Sequence, residues 1–409
     1  MSKRFGLPLF AGALLCFAAP AGSQAVLPEG PGKEIVQTAC AQCHALTTVT
    51  RAGYDRAGWS NVVAQMRNQG AQLAPAQVDT VVDYLAKNFA AKSAPAAVVV
   101  PGSVQVTIRE WIVPTPGSRP HDPLAAPDGS IWYTGQMANV LGRLDPATGT
   151  FKEYHPPVAG SGPHGLVMDR GGNVWFTANF KAYIGKLDPK TGAFTTYNLD
   201  PAARDPHTPI FDRNGTLWFT VQGADMVGRL DPRTGQTRVV SVPTPRANPY
   251  GMVVDSKNAV WFVEFGSNKI ATIDSATMAI REYPLPNAGA RPRRIAIGPD
   301  DVMWYSDYAR GYLGRFDAKT GHVTEWPSPG GPSSRPYGIA WLKNAVWYSE
   351  SGVEPNALVR FDPQTQKFQT WTIPSGGGVV RNMMPTTDGK NLVLACSGVN
   401  RVALVTVQP

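Results

Sequence analysis

The sequence predicts a multidomain chain: a small all-α domain followed by an all-β seven-bladed β-propeller closed by its N-terminal strand. Three observations carry this. Trp132, Trp175, Trp218, Trp261, Trp304 and Trp347 recur at intervals of 43 residues, the period of a four-stranded blade. An Asp recurs in phase at Asp145, Asp188, Asp231, Asp274, Asp317 and Asp362, opening segments such as Asp-Pro-Lys-Thr-Gly that suit a hairpin turn. Ahead of the repeat the apolar spacing is helical, as at Val78, Val81, Val82 and Leu85, one face of a helix.

The first element, residues 1–25, reads as a secretory signal. Lys3 and Arg4 precede an apolar run from Phe5 to Ala19, and Ser23-Gln24-Ala25 offers a small-x-small cleavage site. A periplasmic location is the expectation. The run is short for a membrane span, and no later stretch is long and apolar enough for one. The formal net charge is +8, and two of those charges lie in the signal. The remaining excess is spread without a Lys/Arg run, which argues against nucleic acid and leaves a weakly basic face for an acidic protein partner. Beyond the signal the cysteines are Cys40, Cys43 and Cys396, too few for a disulfide framework.

Residues 26–90 form the second element, with a first helix expected over Gly32 to His44. Cys40, Cys43 and His44 make a Cys-x-x-Cys-His motif, the attachment pattern of haem c, one per chain. Two thiols must reach two vinyl groups while the next residue offers an imidazole to iron; a Cys40–Cys43 disulfide is the alternative. A second axial ligand needs another donor in the same small domain, and Met66 is the candidate. Thioether ligation raises the reduction potential and suits electron transfer; a core methionine is the bland reading. Trp59, Met66, Gly70, Leu73 and Tyr84-Leu85-Ala86 complete a pattern that resembles small class I cytochromes c over about residues 28–90. Residues 91–103, rich in Ala, Val and Pro, read as a linker.

The propeller occupies residues 104–409. In its second unit "PHGLVMD", "NVWFTAN", "YIGKLD" and "AFTTYNL" are four short strands. A seventh unit has Val393 in the Trp slot and lacks an outer strand, while "VQVTIREWIV" precedes the first unit without an inner partner. The N-terminal strand is therefore expected to complete the last blade and remove the open edge. The innermost strands begin at the funnel mouth, which brings His121, His164, His207, Tyr250, Arg293, Tyr337 and Arg381 to the axis. Three imidazoles from adjacent blades are a candidate second metal site, for a divalent ion; a polar, water-filled channel is the plainer reading. Glu264, Asp307 and Glu350, each three residues after a Trp, are expected to turn toward the same mouth and to be candidate catalytic acids. Cys396 shares that slot, where a buried inert thiol is the expectation.

The repeated unit P-x-G-[IL]…[LV]-W-[FY]-[TS]…[IL]-G-[RK]-[LF]-D resembles the virginiamycin B lyase family over roughly residues 105–407. The resemblance implies metal-assisted elimination at an ester. It places the family's two histidines at His164 and His207 and its first carboxylate at Asp205, an Asp where the family has Glu. The second carboxylate slot holds Val221. Three functions are compatible with these features. The chain could be an exported mono-haem cytochrome passing electrons to or from a small molecule or redox partner at the propeller. It could be a metal-dependent C–O lyase, or a docking propeller that presents the cytochrome.

Overall fold

The computed structural model describes residues 26–408, so the predicted signal lies outside the described residues. Four α-helices come first: α1 (Lys33–Cys40), α2 (Thr47–Arg51), α3 (Arg56–Asn68) and α4 (Val78–Asn88). The helix expected to run through His44 ends at Cys40, and Cys43 and His44 lie in the turn that follows. Asp55 caps α3 by accepting the Gly58 N–H at 2.7 Å, and a 3-10 turn at Pro75–Gln77 leads into α4. Val81, Val82 and Leu85 of α4 pack with Val36, Trp59 and Val63 in one small core. Trp59 donates its indole N–H to the Phe89 carbonyl at 2.7 Å, which pins α3 to the end of α4.

Residues 105–408 build seven four-stranded antiparallel sheets. The strand Gln105–Ile112 pairs along its whole length with Arg401–Gln408, so the seventh blade is closed by the N-terminal strand. The segment read as a linker is fastened to the sixth blade. Thr370 donates its hydroxyl to the Val98 carbonyl and its N–H to that of Val100, and Ala96 bridges Glu354.

The repeat residues have structural duties. Trp175, Trp218 and Trp261 donate their indole N–H to Asp169, Asp212 and Asp255 at 2.8–2.9 Å. Trp132 and Trp175 stack on outer-strand aromatics Tyr154 and Tyr197. In the hairpin turn, the Asp188 carboxylate accepts the Lys190 N–H, and Gly192 takes φ +77°, a conformation glycine adopts without a Cβ clash.

Each innermost strand carries a bulge where it meets the axis. In the second blade Pro163 pairs with Ala178 and Leu166 with Phe176, so His164 and Gly165 stand outside the ladder. A bulge re-aims a side chain and leaves backbone groups unpaired. The hydroxyl two residues after the Trp repairs the loss. Thr177 Oγ1 accepts the Gly165 N–H at 3.0 Å and donates to the His207 carbonyl of the next blade at 2.6 Å. Thr134, Thr220, Ser306 and Ser349 do the same toward His164, Tyr250, Tyr337 and Val380. Val263 and Ala395 occupy the slot in the fourth and seventh blades, where Ser397 donates instead to the Pro120 carbonyl.

Thr177→Val keeps the shape and leaves one buried donor and one buried acceptor without this partner. The variant should lose about 1–3 kcal/mol of unfolding free energy, measured by urea denaturation. A loss below about 0.5 kcal/mol would show that the hydroxyl bridge does not hold the blades together.

Candidate functional site

Seven bulges aim seven side chains at one axis. The rings of His121 and His164 lie 3.6 Å apart, those of His164 and His207 3.7 Å, and those of His207 and Tyr250 4.0 Å. The Tyr250 and Tyr337 hydroxyls meet at 2.5 Å. Arg293 sits over the rings of Tyr337, Tyr308, Phe265 and Tyr250 at 3.8–5.2 Å, a cage that solvates its charge by cation–π attraction. All three histidines are buried.

Two residues that the sequence reading passed over complete the arrangement. Asp122 accepts from Arg294 at 2.7 Å and lies 2.9 Å from His121 Nδ1; all three side chains are buried. A signal for this pair was available. The position after each axial residue holds Gly165, Thr208, Gly251, Gly338 and Asn382, and only the first and fifth blades place opposite charges there, as Asp122 and Arg294. A third, Arg119, precedes the first blade's proline at φ +56°, the backbone position that Asp205 occupies in the third blade.

Around the axis, then, stand Arg119, Arg293, Arg294 and Arg381, of which Arg294 alone is paired with a carboxylate among the described residues, that of Asp122. Burial, reinforced by these guanidiniums, holds His121 well below the ordinary imidazole range, and burial together with His164 and Arg294 does the same for His207. His164 is held low by burial and by His121. They are neutral at physiological pH, the form that ligates a metal. His121, Asp122 and His164 bring one donor atom each within 4.8 Å of one another, the one such cluster among the described residues. His207 stacks beside that set without joining it. Burial pushes the Tyr337 phenol up, yet Arg293, Arg381 and Arg294 outweigh it and hold it below its usual value, while Tyr250 is raised by burial. Tyr337 is therefore the acid of the pair.

The three acids expected at the mouth each have a neighbouring partner, and one oxygen each of Glu264 and Glu350 is buried without one. Glu264 accepts from the Ser267 hydroxyl at 2.6 Å, Asp307 from Arg310 at 2.6 Å, and Glu350 from Ser328 at 2.6 Å and the Gly330 N–H at 2.7 Å. Burial raises Glu264 to about 7 and raises Glu350. Asp205 does lie near the axis, two residues before His207. It accepts from the Asn179 amide, whose carbonyl accepts from Gln136 at 2.9 Å. Val221 is fully buried in an apolar cluster. Cys396 is fully buried in another, and burial pushes its thiol up, as an inert side chain requires.

The helical domain lies over this mouth. Asn61, Asn68 and Gln69 of α3 and its C-terminal end donate to the Gly398, Pro116 and Met137 carbonyls at 2.7–2.9 Å. Between the two domains is a mostly apolar cavity of about 370 Å³, within the range of small-molecule and cofactor sites. Cys40, His44, Met66 and Trp59 line it on one side, and Arg119, Met137 and Arg381 on the other. Cys40 and Cys43 are free thiols. A thiol, an imidazole and a thioether around one apolar space could hold an iron-bearing macrocycle.

The blade count, closure and axial ring define a seven-bladed propeller with a histidine- and arginine-lined axis. The chain belongs to the virginiamycin B lyase family, whose profile matches residues 98–361. Among solved structures, a streptogramin B lyase is 28% identical, with a TM-score of 0.67 over 74% of this chain and 98% of that one. A catalytically inactive virginiamycin B lyase from Staphylococcus aureus, solved with quinupristin, is 25% identical at the same TM-score, over 74% and 99%. Hydrazine synthase from Kuenenia stuttgartiensis shares the fold at 13% identity and a TM-score of 0.59, over 71% and 96%. No curated protein matches the chain. The four helices precede the family match.

Burial pushes the Asp205 carboxyl up to about 7, with the Asn179 amide opposing. Between the ordinary carboxylate range near 4 and about 7, the unfolded chain is ionised there and the folded chain is not. The folded state binds more protons, so stability falls as pH rises through that window. Asp205→Asn removes this dependence, and Asn tolerates the φ of +64°. The stability gained by the variant should grow from pH 4 to pH 7 and then level off, in thermal unfolding across a buffer series. Parallel curves would show that Asp205 is ionised throughout.

Proposed function

We propose that this chain is an exported one-electron carrier, in which the helical domain binds haem c and presents it to a ligand or redox partner at the propeller mouth. The observation that carries this reading is the shared cavity: Cys40, His44 and Met66 line it together, and its far wall is formed by Arg119, Met137, Arg381 and Gly398 of the propeller. The residues fit the group. Cys40 ends α1 and lines the cavity with His44, and Cys43 lies in the exposed turn between them. Val36, Trp59 and Leu85 supply apolar walls, and cationic groups stand at the cavity's polar edge. Haem c supplies one-electron chemistry when bound.

The chain's own residues do the rest. His44 and Met66 offer donors from separate segments, α3 excludes water from one side, and its amide contacts hold the cavity against the blades. The cavity puts the helical domain against the axial face of the propeller, where a partner or small molecule would have to approach. A periplasmic setting is consistent with haem c attachment and with the predicted signal.

A second reading, a metal-dependent C–O lyase, is favoured by the family match and by His164, His207 and Asp205. Val221 weakens it, since no carboxylate stands in its slot and its neighbours are apolar.

Expression with export in a host that attaches haem c should yield a chain heavier by one haem, with one iron per chain. Cys40→Ala and Cys43→Ala together should abolish attachment, and Met66→Ala should retain the haem and lower its midpoint potential. The same protein should leave streptogramins intact in the presence of Mg²⁺. A haem-free chain that opens the depsipeptide ring would reverse the order of the two readings.

A further inference from the structure

The four guanidiniums near the axis are not equivalent. Arg294 is neutralised by Asp122 and Arg293 is caged by aromatic rings. Arg119 and Arg381 have neither kind of compensation. The one partner of the Arg119 guanidinium among the described residues is the Met137 sulfur at 3.8 Å, and Arg381 Nε is buried with no partner. Neither makes an ion pair among the described residues. Both line the cavity that holds Cys40, His44 and Met66; Arg67 lines it too, and no Asp or Glu does.

Two close, partly buried cations without an anion carry a desolvation cost and repel each other. A guanidinium fork matches a carboxylate bidentately, so two forks on one wall match two carboxylates. We propose that Arg119 and Arg381 form a binding site for a ligand bearing two carboxylates, on the propeller wall of the shared cavity. Two sources have this chemistry. One is the pair of carboxylates carried by haem itself, which rests on the function proposed above; the other is a free dicarboxylate.

The test uses Arg119→Leu, Arg381→Leu and Arg381→Gln. If the carboxylates are those of haem, each variant exported with haem should show a lower midpoint potential, because losing a nearby positive charge favours the oxidised iron. A tenfold change in the redox equilibrium, 59 mV for one electron, is the expected scale. If the source is a free dicarboxylate, the wild-type potential instead falls on adding malonate, because the two guanidiniums are then free to bind it beside the haem. Malonate then raises the melting temperature of the haem-free Cys40→Ala/Cys43→Ala protein, and this gain is lost in Arg381→Leu. Without malonate, Arg381→Leu in the haem-free protein should melt no lower than its parent, which separates loss of binding from loss of fold. Unchanged potentials together with no malonate effect would overturn the site. A wild-type chain that acquires no haem would overturn the electron-carrier reading instead, and the malonate arm would then decide this site alone.

Discussion

One hydrogen bond, repeated five times, sets the geometry on which the rest depends: a buried Thr or Ser hydroxyl reaching from one blade to the carbonyl of the next blade's axial strand. The bulge beside it turns a side chain toward the axis at the expense of an unpaired N–H, and the same hydroxyl accepts that N–H. Backbone position at the axis is thereby held by residues that do not face it. The side chains that do face it are free to differ from blade to blade, and here they run from histidine through tyrosine to arginine. Close packing elsewhere enforces the same frame. A Cβ at Gly185 would enter the ring of Phe176, and one at Gly314 the ring of Tyr305.

The electrostatic character of the axis follows from which cations found partners. A buried charge is tolerated when it is paired or solvated by dipoles and rings. Arg294 and Arg293 meet that condition inside the propeller. Burial, the neighbouring imidazoles and the field of Arg381 and Arg294 keep the three histidines neutral, and Arg293, Arg381 and Arg294 make Tyr337 the more acidic phenol. Arg119 and Arg381 face the cavity under the helices, and no Asp or Glu among the described residues lines it. The propeller therefore furnishes one wall of the helical domain's cavity, and the charge on that wall complements an anion.

Much of the architecture was legible because it is periodic. The 43-residue Trp spacing gave the blades, the missing outer strand of the seventh unit gave the closure, and the prolines before His121, His164 and His207 gave the axial ring. The contacts that cross domains or blades were hidden, because their partners are far apart in the chain. Asp122 and Arg294 are 172 residues apart, and Asn61 meets Gly398 across 337. For Glu264, Asp307 and Glu350, the spacing after the Trp specified a place in the strand. It did not reveal the nearby Ser267, Arg310 and Ser328 that engage each carboxylate. The segment at 91–103 has linker composition, yet its backbone finds Thr370 and Glu354 on the sixth blade.

X-ray diffraction of the exported protein at the iron absorption edge tests directly what His44 and Met66 hold. The expected result is a single anomalous peak between the His44 imidazole and the Met66 sulfur, with density continuous to Cys40 and Cys43. No iron peak and a Cys40–Cys43 disulfide in the same crystals would contradict it.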